Sequence, residues 1–347
     1  MTTKVHVPFP CAENPHLDAV REDNIAWMLS HGLFDSDTSL DRYRESNFPE
    51  LYCYVYPHAA REEIKLLVDF ETFMFLYDDQ FAGHQGESLD RPMEAMGEFM
   101  AIMYSTPGGR PSSRSRLGSA FVDVLARMLD GMSPSWQRQF FWSCQRFYAS
   151  YLHEAENRLR KDEPLRLALY LKQRQWALGV EPSIDAIERG GRFEIPPHMR
   201  SDPRLLGLRE EVNYFIALAN DIDSLAKEEF TGDINNSVLL LEHNEGMPRK
   251  RAIEEVSHQA QDAIRRFEQR SAVLLASHPY TSLSVTDQTN VVRYVTGLRH
   301  WIAGYYRWTK QTGRYAPASA EREAMPWSPH ELLRVTPTRR INGNHVS

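Results

Sequence analysis

YFIALANDIDSLAKEEF (residues 214–230) starts as an apolar run and turns polar at Asn220. Its apolar half suits a buried stretch of helix. If one helix carries the whole segment, Asn220, Ser224 and Glu228 succeed one another at i, i+4 steps. Each step falls about 40° past a full circle, so the three side chains form a shallow spiral roughly 12 Å long. A solvated helix face would also hold such residues. Two features count against that reading. The preceding turn is apolar, and Asn and Ser are mediocre helix formers whose polar groups compete with the backbone. Amide oxygen, hydroxyl and carboxylate are hard ligands of the kind Mg²⁺ takes. Lys227, next to Glu228, is placed to meet an anion held by such an ion.

The same periodicity extends outward along the chain. Residues 61–81, 117–132, 134–160, 164–180, 202–229, 249–276 and 284–313 all repeat apolar side chains at three- and four-residue steps. Alternating strand patterns are almost absent, which predicts an all-α domain of ten or so helices. Polar, Gly- and Pro-rich segments at 105–116 and 190–203 predict loops, and residues 316–347 predict a poorly ordered tail after a domain spanning 1–315.

A second acidic feature ends the helix over 61–81. Asp78 and Asp79 close "FETFMFLYDD", and Phe75 shares the face of Asp78. Adjacent carboxylates at a helix C-terminus are disfavoured by the macrodipole and by each other, so a cation is expected beside them. An Mg²⁺-bound anion would need further positive partners, and the placed candidates are Arg174, just before the helix breakers Gly179 and Pro182, and Arg314, which precedes Tyr315. Trp301, Trp308 and Tyr315 recur every seven residues and read as one aromatic column leading to Arg314.

Composition narrows the classes of function. The chain has 347 residues, 42% hydrophobic, with a net charge of −7, which argues against a protein that coats nucleic acid or membranes. Three well-separated cysteines exclude a disulfide framework and point to a reducing cytoplasm. No apolar run approaches the roughly 18 residues of a membrane span, and residues 1–16 do not read as a signal peptide. "HEAEN" at His153 lacks the second histidine of a zinc protease, and "STPGGRPSSR" lacks the ending of a phosphate-binding loop.

Taken together, these motifs resemble the bacterial class I terpene cyclases, nearest the sesquiterpene type. "NDIDSLAKE" matches that family's Asn/Ser/Glu metal motif, "DDQFA" stands at its aspartate-rich motif, Arg174 at its diphosphate-sensing arginine and "RY" at its C-terminal pair. The resemblance covers about Val7 to Tyr315. It implies a single-domain α-helical barrel with a central apolar cavity and an isoprenyl diphosphate substrate held with three Mg²⁺ ions. By the same resemblance Asp78, Asn220, Ser224 and Glu228 hold metal, while Arg174, Lys227, Arg314 and Tyr315 grip diphosphate. Asp79 is expected to bond an arginine. The main-chain carbonyl of Leu178 is expected to help trigger ionisation, and Phe75 and Trp308 to form the cavity wall. Asn213, two turns below Asn220, is a weaker candidate for reaching the cavity.

One departure is the lack of a third acid after Asp79, where Ala82 and Gly83 stand. Farnesyl diphosphate is the expected substrate and geranylgeranyl diphosphate the alternative. A homodimer is common among proteins of this kind. Competing readings are a catalytically silent binder of isoprenoid diphosphates and a chain-elongating prenyl transferase, which needs a second aspartate-rich motif.

Overall fold

The computed structural model describes residues 5–34, 36–81, 89–105, 113–159, 163–315 and 332–333. In order, its helices are α1 (Leu17–Ser30), α2 (Asp37–Ser46), α3 (Phe48–Val55), α4 (Arg61–Asp79), α5 (Asp90–Met103), α6 (Arg116–Leu129), α7 (Pro134–Leu159) and α8 (Leu167–Ala177). There follow α9 (Val180–Gly191), α10 (Pro197–Arg200), α11 (Pro203–Asp223), α12 (Leu225–Thr231), α13 (Ser237–Glu245), α14 (Arg249–Leu275), α15 (His278–Thr281) and α16 (Val285–Thr309). A short 3₁₀ turn covers Gly313–Tyr315. No strand occurs among the described residues, and the all-α expectation holds. The helices outnumber the ten or so expected, because short pieces such as α10, α12 and α15 are too brief for periodicity to reveal.

Capping chemistry sets many of the boundaries. Ser36, Ser115, Asp202, Asn236 and Ser284 each accept a backbone N–H of the first turn that follows. Gly232 and Gly246 adopt left-handed conformations at the ends of α12 and α13, where a Cβ would be strained.

α4 and α11 are the two central walls. Both are buried around most of their circumference, unlike surface helices with one apolar stripe. α4 packs on α1, α3, α6 and α9; α11 packs on α8, α13, α14 and α16. A cavity lies between them, lined also by α3, α7, α8, α9, α12 and α16. The expected helix over 202–229 is in fact two. α11 ends at Asp223 and α12 starts at Leu225, and at the junction the Asn220 carbonyl accepts from both the backbone N–H and the hydroxyl of Ser224, each at 2.7 Å.

Ala82, Gly83 and nearly all of the tail over 316–347 lie outside the described residues. Leu332 is an exception within that tail. It is fully buried, donates its N–H to Gln80 Oε1 (3.2 Å) and accepts from Leu117 N (3.1 Å).

Close packing of α16 on α3 rests on Gly304, where a Cβ would sit 2.9 Å from the Tyr54 carbonyl carbon. Gly304→Ala is expected to cost about 1–3 kcal/mol in urea unfolding. Gly97→Ala, at an exposed position of α5 with open space around it, should stabilise by roughly 0.5–1 kcal/mol. Equal midpoints for the two variants would refute the tight α3–α16 contact.

Candidate active site

The cavity between α4 and α11 encloses about 1240 Å³ counted out to its open mouth. Its deeper lining includes Leu51, Met74, Phe75, Phe147, Val180 and Trp301; its mouth is almost wholly charged.

Asp78 and Asp79 resolve their mutual repulsion by facing different ways. The Asp78 side chain is 43% exposed, and its Oδ1 accepts from the Tyr151 hydroxyl at 2.9 Å. Asp79 is buried and accepts from Arg314 Nη2 at 3.3 Å; the same nitrogen lies 3.7 Å from Asp78 Oδ2. Burial raises the Asp79 pKa, while the charges of Arg314 and Lys227 pull it back. Arg314 therefore stands where the sequence asked for a cation.

On the opposite wall the Asn/Ser/Glu spacing survives the break at Ser224. Ser224 N bonds Asn220 O (2.7 Å) and Glu228 N bonds Ser224 O (3.0 Å), so the i, i+4 ladder continues through the junction. Ser224 Oγ is 2.9 Å from Glu228 Oε1, whose other oxygen accepts from Asn236 Nδ2 at 2.7 Å. The Asn220 carboxamide is held at both ends. Its oxygen accepts from Arg174 Nη2 (2.7 Å), and its nitrogen donates to the hydroxyls of Tyr315 (2.9 Å) and Tyr305 (3.1 Å). Burial pushes the Glu228 carboxyl up to about 8, against the lowering pull of Arg174.

Arg174, from the last turn of α8, ties this wall together. Besides Asn220 it reaches Glu154 of α7 (3.2 Å), Asp221 (3.4 Å) and Glu228 (3.8 Å). Burial works against its charge, but these anions and Tyr170 hold its pKa well above the usual arginine value. Arg158 forms the next pair, bonding Asp233 through Nε at 3.0 Å. Lys227 lines the mouth too.

The donor set fits magnesium. Asn220 Oδ1, Ser224 Oγ and Glu228 Oε1 are hard oxygens on one wall, with the Asp78 carboxylate on the other. Among the described residues no group of three His, Cys, Asp or Glu could cage a metal alone.

α8 stops at Ala177 and α9 starts at Val180, with Gly179 left-handed (φ 69°) between them and Leu178 lining the cavity. A Cβ on Gly179 would press on Met74 and Phe147, at 3.3 and 3.4 Å. Phe75 also lines the cavity, stacked on Phe48 with centroids 4.1 Å apart and lying 5.2 Å from the Arg314 guanidinium.

Two expectations need correction. Trp308 is not among the lining residues: it is fully buried behind Phe75 and Tyr315, and its indole N–H donates to Asn47 O at 2.8 Å. Trp301 takes the wall position instead. The seven-residue column fails because α16 ends at Thr309, so Tyr315 belongs to the separate 3₁₀ turn. Asn213 does not reach the cavity either, since its amide donates to Glu181 Oε1 (2.6 Å) and Arg209 O (3.0 Å). Sequence reasoning misses Tyr151, Glu154, Arg158, Asp233 and Glu71. Each is one polar residue on an otherwise ordinary helix or loop, and only the tertiary fold gathers them.

The metal-binding C-terminal model of terpene synthase family 2 matches residues 69–266, a range containing both metal-type walls. The chain is 29% identical over 312 residues to pentalenene synthase of Streptomyces avermitilis, covering 90% of this chain and 92% of that one. It is 30% identical over 329 residues to a farnesyl diphosphate-cyclising (−)-β-caryophyllene synthase of Saccharothrix espanaensis, covering 93% and 92%. The crystal structure of germacradien-4-ol synthase from Streptomyces citricolor superposes with a TM-score of 0.78 at 26% identity, covering 89% of this chain and 99% of that one. The chain thus belongs to terpene synthase family 2 and is a terpene synthase, a lyase of all-α fold.

Proposed function

We propose that this enzyme binds farnesyl diphosphate with Mg²⁺ at the cavity mouth, releases diphosphate, and cyclises the resulting cation to a sesquiterpene. What carries the proposal is the arrangement of Asp78 and the Asn220/Ser224/Glu228 set on opposite walls of one mouth, above an apolar cavity. Farnesyl rather than geranylgeranyl diphosphate is favoured by the substrate named for the caryophyllene synthase relative.

Magnesium held by Asp78, Asn220, Ser224 and Glu228 supplies Lewis acidity that neutralises the leaving diphosphate. Arg174, Lys227, Arg314 and Tyr315 grip its oxygens, with the arginines offering forked donors. As the carbon–oxygen bond breaks, its electron pair leaves with diphosphate and an allylic cation remains. The Leu178 carbonyl, at the helix break, turns its negative end toward that cation. Phe75 faces it with an aromatic quadrupole, and the apolar lining withholds water. Asp79 acts through Arg314 by holding the guanidinium in place.

Asn220→Ala, Ser224→Ala and Glu228→Ala are each expected to lower diphosphate release from farnesyl diphosphate and Mg²⁺ by about 100-fold or more. Near-normal release by all three would refute the metal assignment. Phe75→Ala should change the product ratio seen by gas chromatography. Trp308→Phe, behind the wall, should leave that ratio alone while lowering stability by about 1–3 kcal/mol. The reverse pattern would exchange the two rings' places.

A further inference from the structure

Glu71 is the carboxyl of the cavity lining that the mouth does not explain. Among the described residues, each of the other lining carboxylates has an arginine partner: Asp78 and Asp79 have Arg314, Glu154 and Glu228 have Arg174, and Asp233 has Arg158. Among the described residues Glu71 meets two hydroxyls, Tyr56 Oη at 2.8 Å from Oε1 and Ser183 Oγ at 2.6 Å from Oε2. It is 2% exposed yet faces the cavity. On α4 it lies four residues before Phe75 and seven before Asp78, so the three share one face, with Glu71 roughly 10 Å below the mouth. A chain anchored by its head at Asp78 would bring its reacting middle and tail past Phe75 toward Glu71.

The surroundings of the carboxyl suit a neutral acid. Tyr56 Oη lies within reach of a second acceptor, Ser183 O at 2.7 Å, and Ser183 Oγ of another, Gly179 O at 2.8 Å. The Gly179 carbonyl also accepts from the Ser183 backbone N–H at 3.4 Å, so both hydroxyls are free to turn between Glu71 and the main chain, and either can accept from a protonated Glu71. Burial pushes the Glu71 carboxyl up to about 8, and the nearby titratable groups Tyr52, Tyr56 and Cys144 are all raised by burial, so they are neutral as well.

Resting on the cyclase reading above, we infer that Glu71 is the proton-transferring residue of the cavity. It protonates a neutral cyclic alkene, formed when the first cyclised cation gives up a proton to the released diphosphate, and takes a proton back at the end. In the first transfer the Glu71 O–H bond breaks, and the alkene electron pair makes the new C–H bond, leaving a cation beside a carboxylate. In the second, the carboxylate removes hydrogen from the carbon next to the final cation, and that C–H pair becomes the product double bond. Glu71 returns to its starting state, and no further reactant is consumed. Tyr56 and Ser183 hold the carboxyl oriented and stabilise the transient carboxylate with their hydroxyls.

The test is turnover of farnesyl diphosphate and Mg²⁺ by the full chain in D₂O, with deuterium in the product measured per diphosphate released. In a single turnover, started after the enzyme has equilibrated in D₂O, wild-type product should carry one deuterium from the enzyme acid. Glu71→Gln product should carry none and consist of the unprotonated alkene, and Glu71→Asp should restore part of the label. Unlabelled wild-type product alongside normal diphosphate release would overturn the inference, as would full labelling by Glu71→Gln. Absence of diphosphate release from the wild type would instead overturn the cyclase reading, and the inference with it.

Discussion

The buried guanidinium of Arg174 is the interaction on which the site depends. It joins α7, α8 and α11 through Glu154, Asp221 and Asn220, and it fixes which way the Asn220 amide points. Buried ion pairs of this sort contribute little net stability, since desolvation offsets most of their attraction. Their effect here is positional. With Arg174 on its oxygen and Tyr305 and Tyr315 on its nitrogen, the carboxamide has one orientation, and that orientation places its oxygen among the other hard donors. The same cation stands within reach of any anion that an ion on this wall would bring.

The charges of the mouth and the dryness of the interior are two sides of one arrangement. Arginine partners gather the mouth carboxylates at low exposure: at Asp233 Arg158 and a backbone N–H outweigh burial and lower the pKa, whereas at Glu228 burial outweighs the pull of Arg174. Deeper down no arginine partners Glu71 among the described residues, and burial pushes its carboxyl up, which favours the neutral form. A polar head group is therefore met by fixed charge, and a hydrocarbon by apolar walls and a single uncharged acid. The break at Leu178 and Gly179, between α8 and α9, joins the two zones along the cavity lining.

Much of this arrangement is legible in the order of the amino acids, and what is not has physical reasons. The Asn220/Ser224/Glu228 set can be read because i, i+4 spacing survives even the interruption at Ser224. The Arg314–Asp79 contact is legible as an electrostatic debt at a helix C-terminus, which some cation has to cover. Periodicity exchanges the places of Trp308 and Trp301, because it tells which face is buried but not whether that face meets a neighbour or a void. Asn213 is misplaced for a related reason: its spacing puts it on the face of Asn220, but its amide finds Glu181 instead. Glu71 escapes notice in the sequence although it sits at i−4 from Phe75 and i−7 from Asp78, because one acid in an apolar stretch looks like any solvated glutamate.

The central claim is that metal bridges two walls, and binding of inorganic diphosphate measured calorimetrically tests it most directly. The account predicts that Mg²⁺ tightens binding at least about tenfold, or 1.4 kcal/mol, over the same protein in chelator. It also predicts that Asp78→Asn and Glu228→Gln, on opposite walls, each abolish that gain. Binding equally tight without magnesium, or a gain lost from only one wall, would contradict it.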